Sequence, residues 1–254
     1  MHVAITGASS GIGKALAQEY ARAGAKLTLV ARRKEVLDQI ARESGATAHT
    51  VGADLSDSPH AADWVAASEK ALGPIDVLVN NAGMDNMGPT LEADLAECIA
   101  LMHLNLLSPL TLAQHVAPRM AARRSGHIVN IASVAALAPV PMKAWYGASK
   151  AGFAMFSESL RYEILKSGVH VMTVYPGPIN TPMADKSYEA VGGRKGTAAL
   201  MPEGKPETLA RLIRKGVESR KARIVYPAFY LSQMFAPNLS GWLAGTFGPK
   251  PDFS

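Results

Sequence analysis

Apolar and polar positions along this chain fall into two alternating patterns. Seven short runs are rich in β-branched and apolar residues: His2–Thr6 (HVAIT), Lys26–Ala31 (KLTLVA), Thr47–Asp54 (TAHTVGAD), Val77–Ala82 (VLVNNA), His127–Ser133 (HIVNIAS), His170–Gly177 (HVMTVYPG) and Arg223–Pro227 (RIVYP). Runs of this length and composition predict buried strands. Between them the apolar spacing becomes helical. Lys14–Ala23 (KALAQEYARA) carries Leu16, Ala17 and Tyr20 on one face and meets Gly24 at its end, which predicts a helix with a glycine stop. Further helices are predicted over 34–43, 58–72, 93–117, 145–167 and 206–220. Strands alternating with helices imply one parallel sheet covered on both faces. Right-handed crossovers make it doubly wound, with a ligand crevice at the carboxyl ends of the strands. No composition break marks a second unit, so 1–254 is read as a single α/β domain.

Composition narrows the function. A chain of 254 residues that is 48% hydrophobic has enough apolar material for a substantial core. The net charge of +5 is dispersed along the chain, which argues against a nucleic-acid partner. The single cysteine, Cys98, excludes an intrachain disulfide framework and a thiolate metal cluster. It is compatible with a reducing cytosol. No basic region followed by an apolar stretch opens the chain, so no signal peptide is expected and the protein is placed in the cytoplasm. No run of apolar residues suggests a spanning helix.

The first strand is followed at once by Gly7, Gly11 and Gly13 in TGASSGIGK. A glycine-rich joint between strand and helix lets backbone approach a ligand closely and aims free amides and a positive helix end at it. The ligand this favours is an anion, above all a phosphate. The spacing is neither G-x-G-x-x-G nor that of a P-loop, which requires Gly-Lys-Ser/Thr. Further along, Tyr146 and Lys150 in WYGASKAGF are four residues apart, which puts them on one helix face, one turn from each other. A phenol of ordinary pKa is a poor acid–base group at neutral pH. A neighbouring ammonium would favour the phenolate and bring that pKa down. Ser133 ends the strand upstream and offers a hydroxyl to a substrate oxygen. Gly7, Arg32, Asp54, Asn80, Ser133 and Pro176 all fall at or just past a predicted strand end, on the rim of one crevice.

Together, Thr6-Gly7-x-x-x-Gly11-x-Gly13, Asn80-Asn81-Ala82-Gly83, Asn105, Ser133, Tyr146-x-x-x-Lys150 and Pro176-Gly177 resemble the short-chain dehydrogenase/reductase family over about residues 1–182. The resemblance implies a Rossmann-type sheet of order 3-2-1-4-5-6-7 and a nicotinamide dinucleotide whose pyrophosphate lies on Gly7, Ser9, Ser10, Gly11, Ile12 and Gly13. It implies that Tyr146 exchanges a proton with the substrate oxygen. Lys150 then binds the nicotinamide ribose and lowers the tyrosine pKa, Ser133 orients the carbonyl, and Asn105 holds a water that relays protons to Lys150. Asp54 and Leu55 resemble the pair at the adenine. Asn80 and Gly83, with Asn81 and Ala82 between them, would wall the adenine ribose and stabilise the central sheet. Thr181 resembles the contact to the carboxamide, with Pro176, Gly177 and Ile179 beside it. No metal is needed. By the same resemblance the helices at 93–117 and 145–167 would pair across the axis of a homodimer or homotetramer.

At the end of the second strand, Ala31 occupies the place where a carboxylate would favour NAD(H), and Arg32 and Arg33 follow. Two guanidinium groups there suit a 2′-phosphate. NADP(H) is therefore expected over NAD(H), with Arg32 as the nearer contact. Residues 183–206, with Lys186, Gly192, Gly193, Arg194, Lys195, Gly196, Pro202 and Gly204, read as a substrate lid. From Ile224 to Pro249 there is no charged residue. Pro227, Pro237, Gly241 and Gly245 argue against a spanning helix there. Three placements stay open for this 224–254 segment: packing on its own domain, a subunit interface, or peripheral contact with a membrane surface. Its Phe229–Phe235 stretch suits an adaptable apolar pocket, so the expected substrate is an apolar ketone, aldehyde or alcohol.

Overall fold

The computed structural model describes residues 1–190, 193 and 201–247. The positions Gly192, Arg194, Lys195, Gly196 and the chain from 248 onward, all part of the sequence reading above, lie outside the described residues. Seven strands form one sheet: β1 His2–Thr6, β2 Lys26–Ala31, β3 Ala48–Gly52, β4 Val77–Asn80, β5 Gly126–Ile131, β6 Val169–Pro176 and β7 Arg223–Tyr226. Their spatial order is β3-β2-β1-β4-β5-β6-β7 and every pair is parallel. The predicted fold is thus the observed one.

The sheet is covered on both sides because its strands are apolar at odd and even positions alike. Val3, Ile5, Leu27, Leu29, Val77 and Val79 point to one face. There they pack under α1 (Gly11–Arg22), α2 (Lys34–Ser44) and α8 (Pro206–Glu218), which contribute Leu16, Tyr20, Leu37, Ile40, Leu209 and Ile213. Ala4, Val30, Leu78 and Ile128 point to the other face, against Val65 of α3 (Val65–Leu72) and Leu112, Val116 and Met120 of α5 (Ser108–Ala122). Each fully buried Leu or Ile is worth roughly 1.5–3 kcal/mol, so the two clusters fix the register of the sheet from both sides.

The helical expectations are corrected in detail. α1 begins at Gly11, so two of the three glycines lie in its first turn. The 58–72 expectation resolves into a 3-10 turn, Ser58–His60, and the short α3. The 93–117 expectation becomes α4 (Leu95–Met102), a π turn over His103–Leu107 and then α5. In that turn the Ser108 N–H donates to His103 O, five residues back. The stretch 95–122 is also the one helical segment among the described residues long and apolar enough to cross a membrane; here Leu112, Val116 and Met120 lie on the sheet. α6 runs over Ala144–Glu163. Three helices were not expected: α7 (Pro182–Glu189), α9 (Leu231–Phe235) and α10 (Pro237–Phe247).

The chain winds outward from β1 to β3, then returns to β4 beside β1 and winds the other way. The carboxyl ends of β1 and β4 therefore flank the point where strand order reverses, which is where such sheets open a crevice.

Candidate active site

The floor of the crevice is a seam between the ends of β1 and β4. Thr6 Oγ1 accepts from the N–H groups of Asn81 (2.9 Å) and Ala82 (3.0 Å) and donates to Val79 O at 3.3 Å. Asn81 Nδ2 donates back to Thr6 O (2.9 Å) and Gly7 O (3.3 Å). The glycines are what allow the seam to close. Gly7 has φ +65°, and a Cβ there would lie 2.8 Å from Ala82 Cα. A Cβ on Gly13 would lie 2.2 Å from Gly7 O. A side chain at either position would push the first turn of α1 off the strand end. Ser10 stands at the start of α1 in an extended conformation and makes no side-chain cap. The first-turn amides and the positive helix end are thus left for an anion.

The neighbours of this cradle come from the expected places. Thr181 caps α7, accepting from Ala184 N at 3.4 Å. It also packs on the cradle, since a Cβ on Gly11 would lie 3.1 Å from Thr181 Cγ2. Arg33 Nη2 donates to Ser9 Oγ at 3.3 Å, which ties the end of β2 to the glycine loop. Arg32 lies near Asp54. Hydrogen bonds from the Ser56 N–H and hydroxyl hold the Asp54 carboxyl below its ordinary pKa, with a smaller contribution from the Arg32 charge and with burial opposing. Leu55 follows Asp54 at the same rim. Its side chain is buried in the core with Ala61 and Trp64, so an adenine contact there would be made by backbone. Ile179 is likewise a core side chain. Pro176 ends β6, and Gly177 donates to Tyr226 O at 2.8 Å.

Ser133, Tyr146 and Lys150 come together where β5 ends and α6 begins. Ser133 leaves β5 and caps the 3-10 turn Val134–Ala136, accepting from Ala135 N at 3.1 Å. Its side chain lies beside the Tyr146 phenol, where it favours the phenolate. Lys150, one turn along α6, is 5% exposed and donates to Ile131 O at 3.1 Å. Its ammonium lies 5.9 Å from the centre of the Tyr146 ring. Burial brings the Lys150 pKa down to about 8, against the opposing charge of Asp85. The expected lowering of the Tyr146 pKa by Lys150 is not the net effect. Burial pushes the phenol above its ordinary value, Asp85 adds to the rise, and Ser133 works against it.

Asn105 is fully buried in the π turn. The extra residue of that turn swings its side chain inward, a local irregularity often found at functional sites. Its Oδ1 accepts from Met84 N and its Nδ2 donates to Met84 O, both at 2.8 Å, with a further bond to Ser149 Oγ at 3.2 Å. It therefore pins the wall that follows Asn80-Asn81-Ala82-Gly83. A Cβ on Gly83 would lie 3.1 Å from Asn105 Oδ1 and 3.4 Å from Lys150 Nζ, so this wall passes directly over both side chains. Asn80 serves the sheet. It donates to Asn130 Oδ1 at 2.9 Å, and Asn130 donates to Ser157 Oγ, also at 2.9 Å.

Several residues of the site were not anticipated. Asp85 stands one residue beyond the Asn-Asn-Ala-Gly run, after Met84, and forms an ion pair with Lys143; their side chains are 7% and 18% exposed. Ser187 of α7 donates to Asp85 Oδ2 at 2.5 Å. Tyr230 is buried against Gly177 and donates to Pro202 O at 3.1 Å. The signals for the first pair were position alone: an acid just past a strand-end motif and a lysine three residues before Tyr146. Around Ser133 the surroundings are apolar, with Ala132, Val134, Leu137, Tyr230 and Met234 in one cluster. A cleft of about 520 Å³ lies between Pro139, α10 and Ala144, Ala148 and Ala151 of α6. Those α6 residues occupy a different helix face from Tyr146 and Lys150, so this cleft is not the crevice. Here α10 meets the chain's own 135–141 turn, Gly241 against Pro139, while Phe235, Leu239 and Trp242 stay exposed. Among the described residues there is no group of three or more metal-ligating side chains.

Comparison with known proteins agrees with this architecture. A family model described as short chain dehydrogenase matches residues 1–192. A dehydrogenase/reductase SDR family protein 7-like of Anopheles gambiae is 34% identical over 256 residues, covering 95% of this chain and 81% of that one. An uncharacterised oxidoreductase of Staphylococcus epidermidis is 34% identical over 181 residues, 71% of this chain and 79% of its own. Among solved structures, a short-chain dehydrogenase from Sphingobium yanoikuyae in complex with NADPH superposes with a TM-score of 0.80 at 31% identity, covering 100% of this chain and 97% of that one. With the glycine cradle at the switch point and the serine, tyrosine and lysine at the neighbouring strand ends, these matches establish that the chain belongs to the short-chain dehydrogenase/reductase family of oxidoreductases.

Proposed function

We propose that this protein moves a hydride between NADP(H) and the carbonyl or alcohol carbon of an apolar small molecule, with Tyr146 as the general acid and base. The observation that carries this reading is the placement of a phenol beside Ser133 and a buried Lys150 next to a backbone cradle that no side chain at Gly7 or Gly13 would permit. A dinucleotide fits that cradle through its pyrophosphate, on the amides of Gly11, Ile12 and Gly13. The bound nicotinamide supplies or accepts the hydride. In reduction the Tyr146 hydroxyl gives its proton to the substrate oxygen as the hydride reaches the carbon, and Ser133 holds that oxygen in place. A phenol pushed above its ordinary pKa is protonated at neutral pH, which suits the reductive direction. Lys150 holds the ribose hydroxyls and returns a proton to the tyrosine, while Asn105 fixes the wall above it.

The preference for NADP(H) rests on Ala31 in place of a carboxylate, on Arg33 at the glycine loop and Arg32 beside it, and on the NADPH held by the Sphingobium relative. Substrate apolarity is supported by the cluster around Ser133. We assign 183–206 to a lid that α7 opens, within one catalytic domain. We place a second copy on the exposed apolar residues of α4 and α6, Leu95, Ile99, Met155 and Tyr162.

The test follows NADPH absorbance with acetaldehyde, hexanal, benzaldehyde and acetophenone. Tyr146→Phe is expected to lower turnover by about 10²–10⁴-fold with NADPH binding retained, and Arg32→Ala with Arg33→Ala to weaken NADPH far more than NADH. Turnover that survives Tyr146→Phe overturns the acid–base role, and equal weakening of both cofactors overturns the arginine reading.

A further inference from the structure

Asp85 is where three separate segments of the chain meet. It belongs to the wall after β4. Its carboxylate is paired with Lys143, on the approach to α6, and accepts from Ser187 of α7 at 2.5 Å. The same wall is joined to that approach by a backbone bond, Gly88 N to Met142 O, at 2.9 Å. Asp85 Oδ1 is buried and has no hydrogen-bond partner among the described residues. Lys143 Nζ lies 5.2 Å from the centre of the Tyr146 ring. An ion pair this well covered is costly to build and strongly felt by its neighbours, yet nothing in hydride transfer itself requires one here.

We propose that Asp85, paired with Lys143 and bonded to Ser187, is a positioning residue that docks α7 onto the tyrosine edge and sets the charge beside the Tyr146 ring. This rests on the reading of Tyr146 as the acid–base group. The groups that face Tyr146 are Ser133 from the turn after β5, Lys150 from its own helix, Lys143 from the approach to that helix and Asp85 from the wall after β4. Burial keeps the phenol protonated, the Asp85 charge adds to this and Ser133 opposes it; an ammonium at Lys143, 5.2 Å from the ring centre, favours the phenolate. Docking of α7 through Ser187 adds a hydrogen bond to the same carboxylate. Closure over the substrate and the proton affinity of the tyrosine are therefore joined at one side chain.

The consequence is a pair of changes with opposite sign. Asp85→Asn removes the negative charge and leaves the Lys143 ammonium alone near the ring, so the phenol loses its proton at lower pH. Lys143→Met leaves the carboxylate alone, so the phenol keeps its proton to higher pH. Each displacement is expected to be about one pH unit. Ser187→Ala keeps both charges; it should raise KM several-fold and leave the pH midpoint in place.

The test uses the full chain with tyrosines labelled with ¹³C at Cζ. The Tyr146 resonance is the one missing from Tyr146→Phe, and its ionisation is followed against pH in each variant without any substrate. The pH profile of NADPH-dependent reduction, with the fastest carbonyl compound of the four above, gives the kinetic counterpart. Opposite displacements in Asp85→Asn and Lys143→Met support the proposal. Displacements of the same sign, or none, overturn it. Where Asp85→Asn does not fold, an upward displacement in Lys143→Met decides for the proposal and its absence against it. Turnover retained by Tyr146→Phe ends the catalytic reading of that tyrosine. A silent Tyr146→Phe with unmoved midpoints ends this inference alone.

Discussion

α6 buries charge twice, in opposite ways. Near its start Lys150 is 5% exposed against Ile131 O, and burial alone drags its pKa down to about 8. Two turns on, Glu158 sits between two arginines. It accepts from Arg161 at 2.8 Å and from Arg223 Nε and Nη2 at 2.8 and 2.6 Å. Burial disfavours its charge too, but the hydrogen bonds from Arg223 and Arg161 win and hold its pKa at about 2. One helix thus carries a charge under strain and a charge fully met. The met charge fastens α6 to the start of β7. The strained one faces the crevice, where a ligand's hydroxyls would complete it. Stability is spent at the first position and gained at the second, and the gain is what holds the first in place.

The comparison breaks most visibly at the clamp. Glu158→Gln should destabilise the protein by about 2 kcal/mol at neutral pH, seen as a lower midpoint in urea. The sign follows from linkage. A folded pKa of about 2 lies below the ordinary 4.5, so the stabilisation is complete above pH 4.5 and is lost as pH falls toward 2. The difference between wild type and Glu158→Gln should therefore shrink across that window. A constant difference would mean that the charge is not what the arginines hold.

Lys150→Met should act the other way at the active end. Below pH 8 the folded protein carries an ammonium that burial disfavours, and methionine of similar length removes it. The variant should gain about 1 kcal/mol, less than the clamp's effect because Ile131 O loses its donor. Turnover should be lost at the same time. The folded pKa of about 8 lies below the ordinary 10.5, so wild-type stability should rise with pH between these values while that of the variant stays flat. A destabilised Lys150→Met would show that the bond to Ile131 O outweighs burial.

These contrasts were only partly legible beforehand. β1 and β2 lie where their apolar runs predicted, because strands buried on both faces leave little freedom in register. Helix periodicity put Tyr146 and Lys150 on one face and the strand pattern put Ser133 at a strand end; reading the three as one site took the family resemblance. The π turn was hidden, since HLNLL keeps its apolar character whether or not one residue is inserted into the helix. α7 carried a signal that went unread: Thr181 followed by Pro182 is a cap and a first helical position. Asp85 and Ser187 are 102 residues apart, and no periodicity joins them. The same is true of Glu158 and Arg223, 65 residues apart. Local pattern shows which groups a helix presents; the fold alone shows which of them find a partner.

A third buried group tests whether strain by itself marks a site. His127 and His170 face each other across β5 and β6, with ring centres 5.6 Å apart, at the end of the sheet away from the crevice. Burial, then the His170 and Arg220 charges, bring the His127 pKa down to about 4, with Asp76 opposing. Its Nδ1 is buried without a hydrogen-bond partner among the described residues. By strain it resembles Lys150, yet it lies at the opposite end of the strands from the glycine cradle. Its folded pKa lies below the ordinary 6.5, so stability should fall as pH drops from 6.5 toward 4, by about 1 kcal/mol once solvent screening is allowed for. His127→Asn should flatten that limb and leave the pH profile of turnover unchanged. A shifted turnover profile would mean that the far end of the sheet speaks to the tyrosine. An unchanged profile with a flattened limb would mean that a strained charge becomes chemistry only where the fold also supplies somewhere for a ligand and a proton to go.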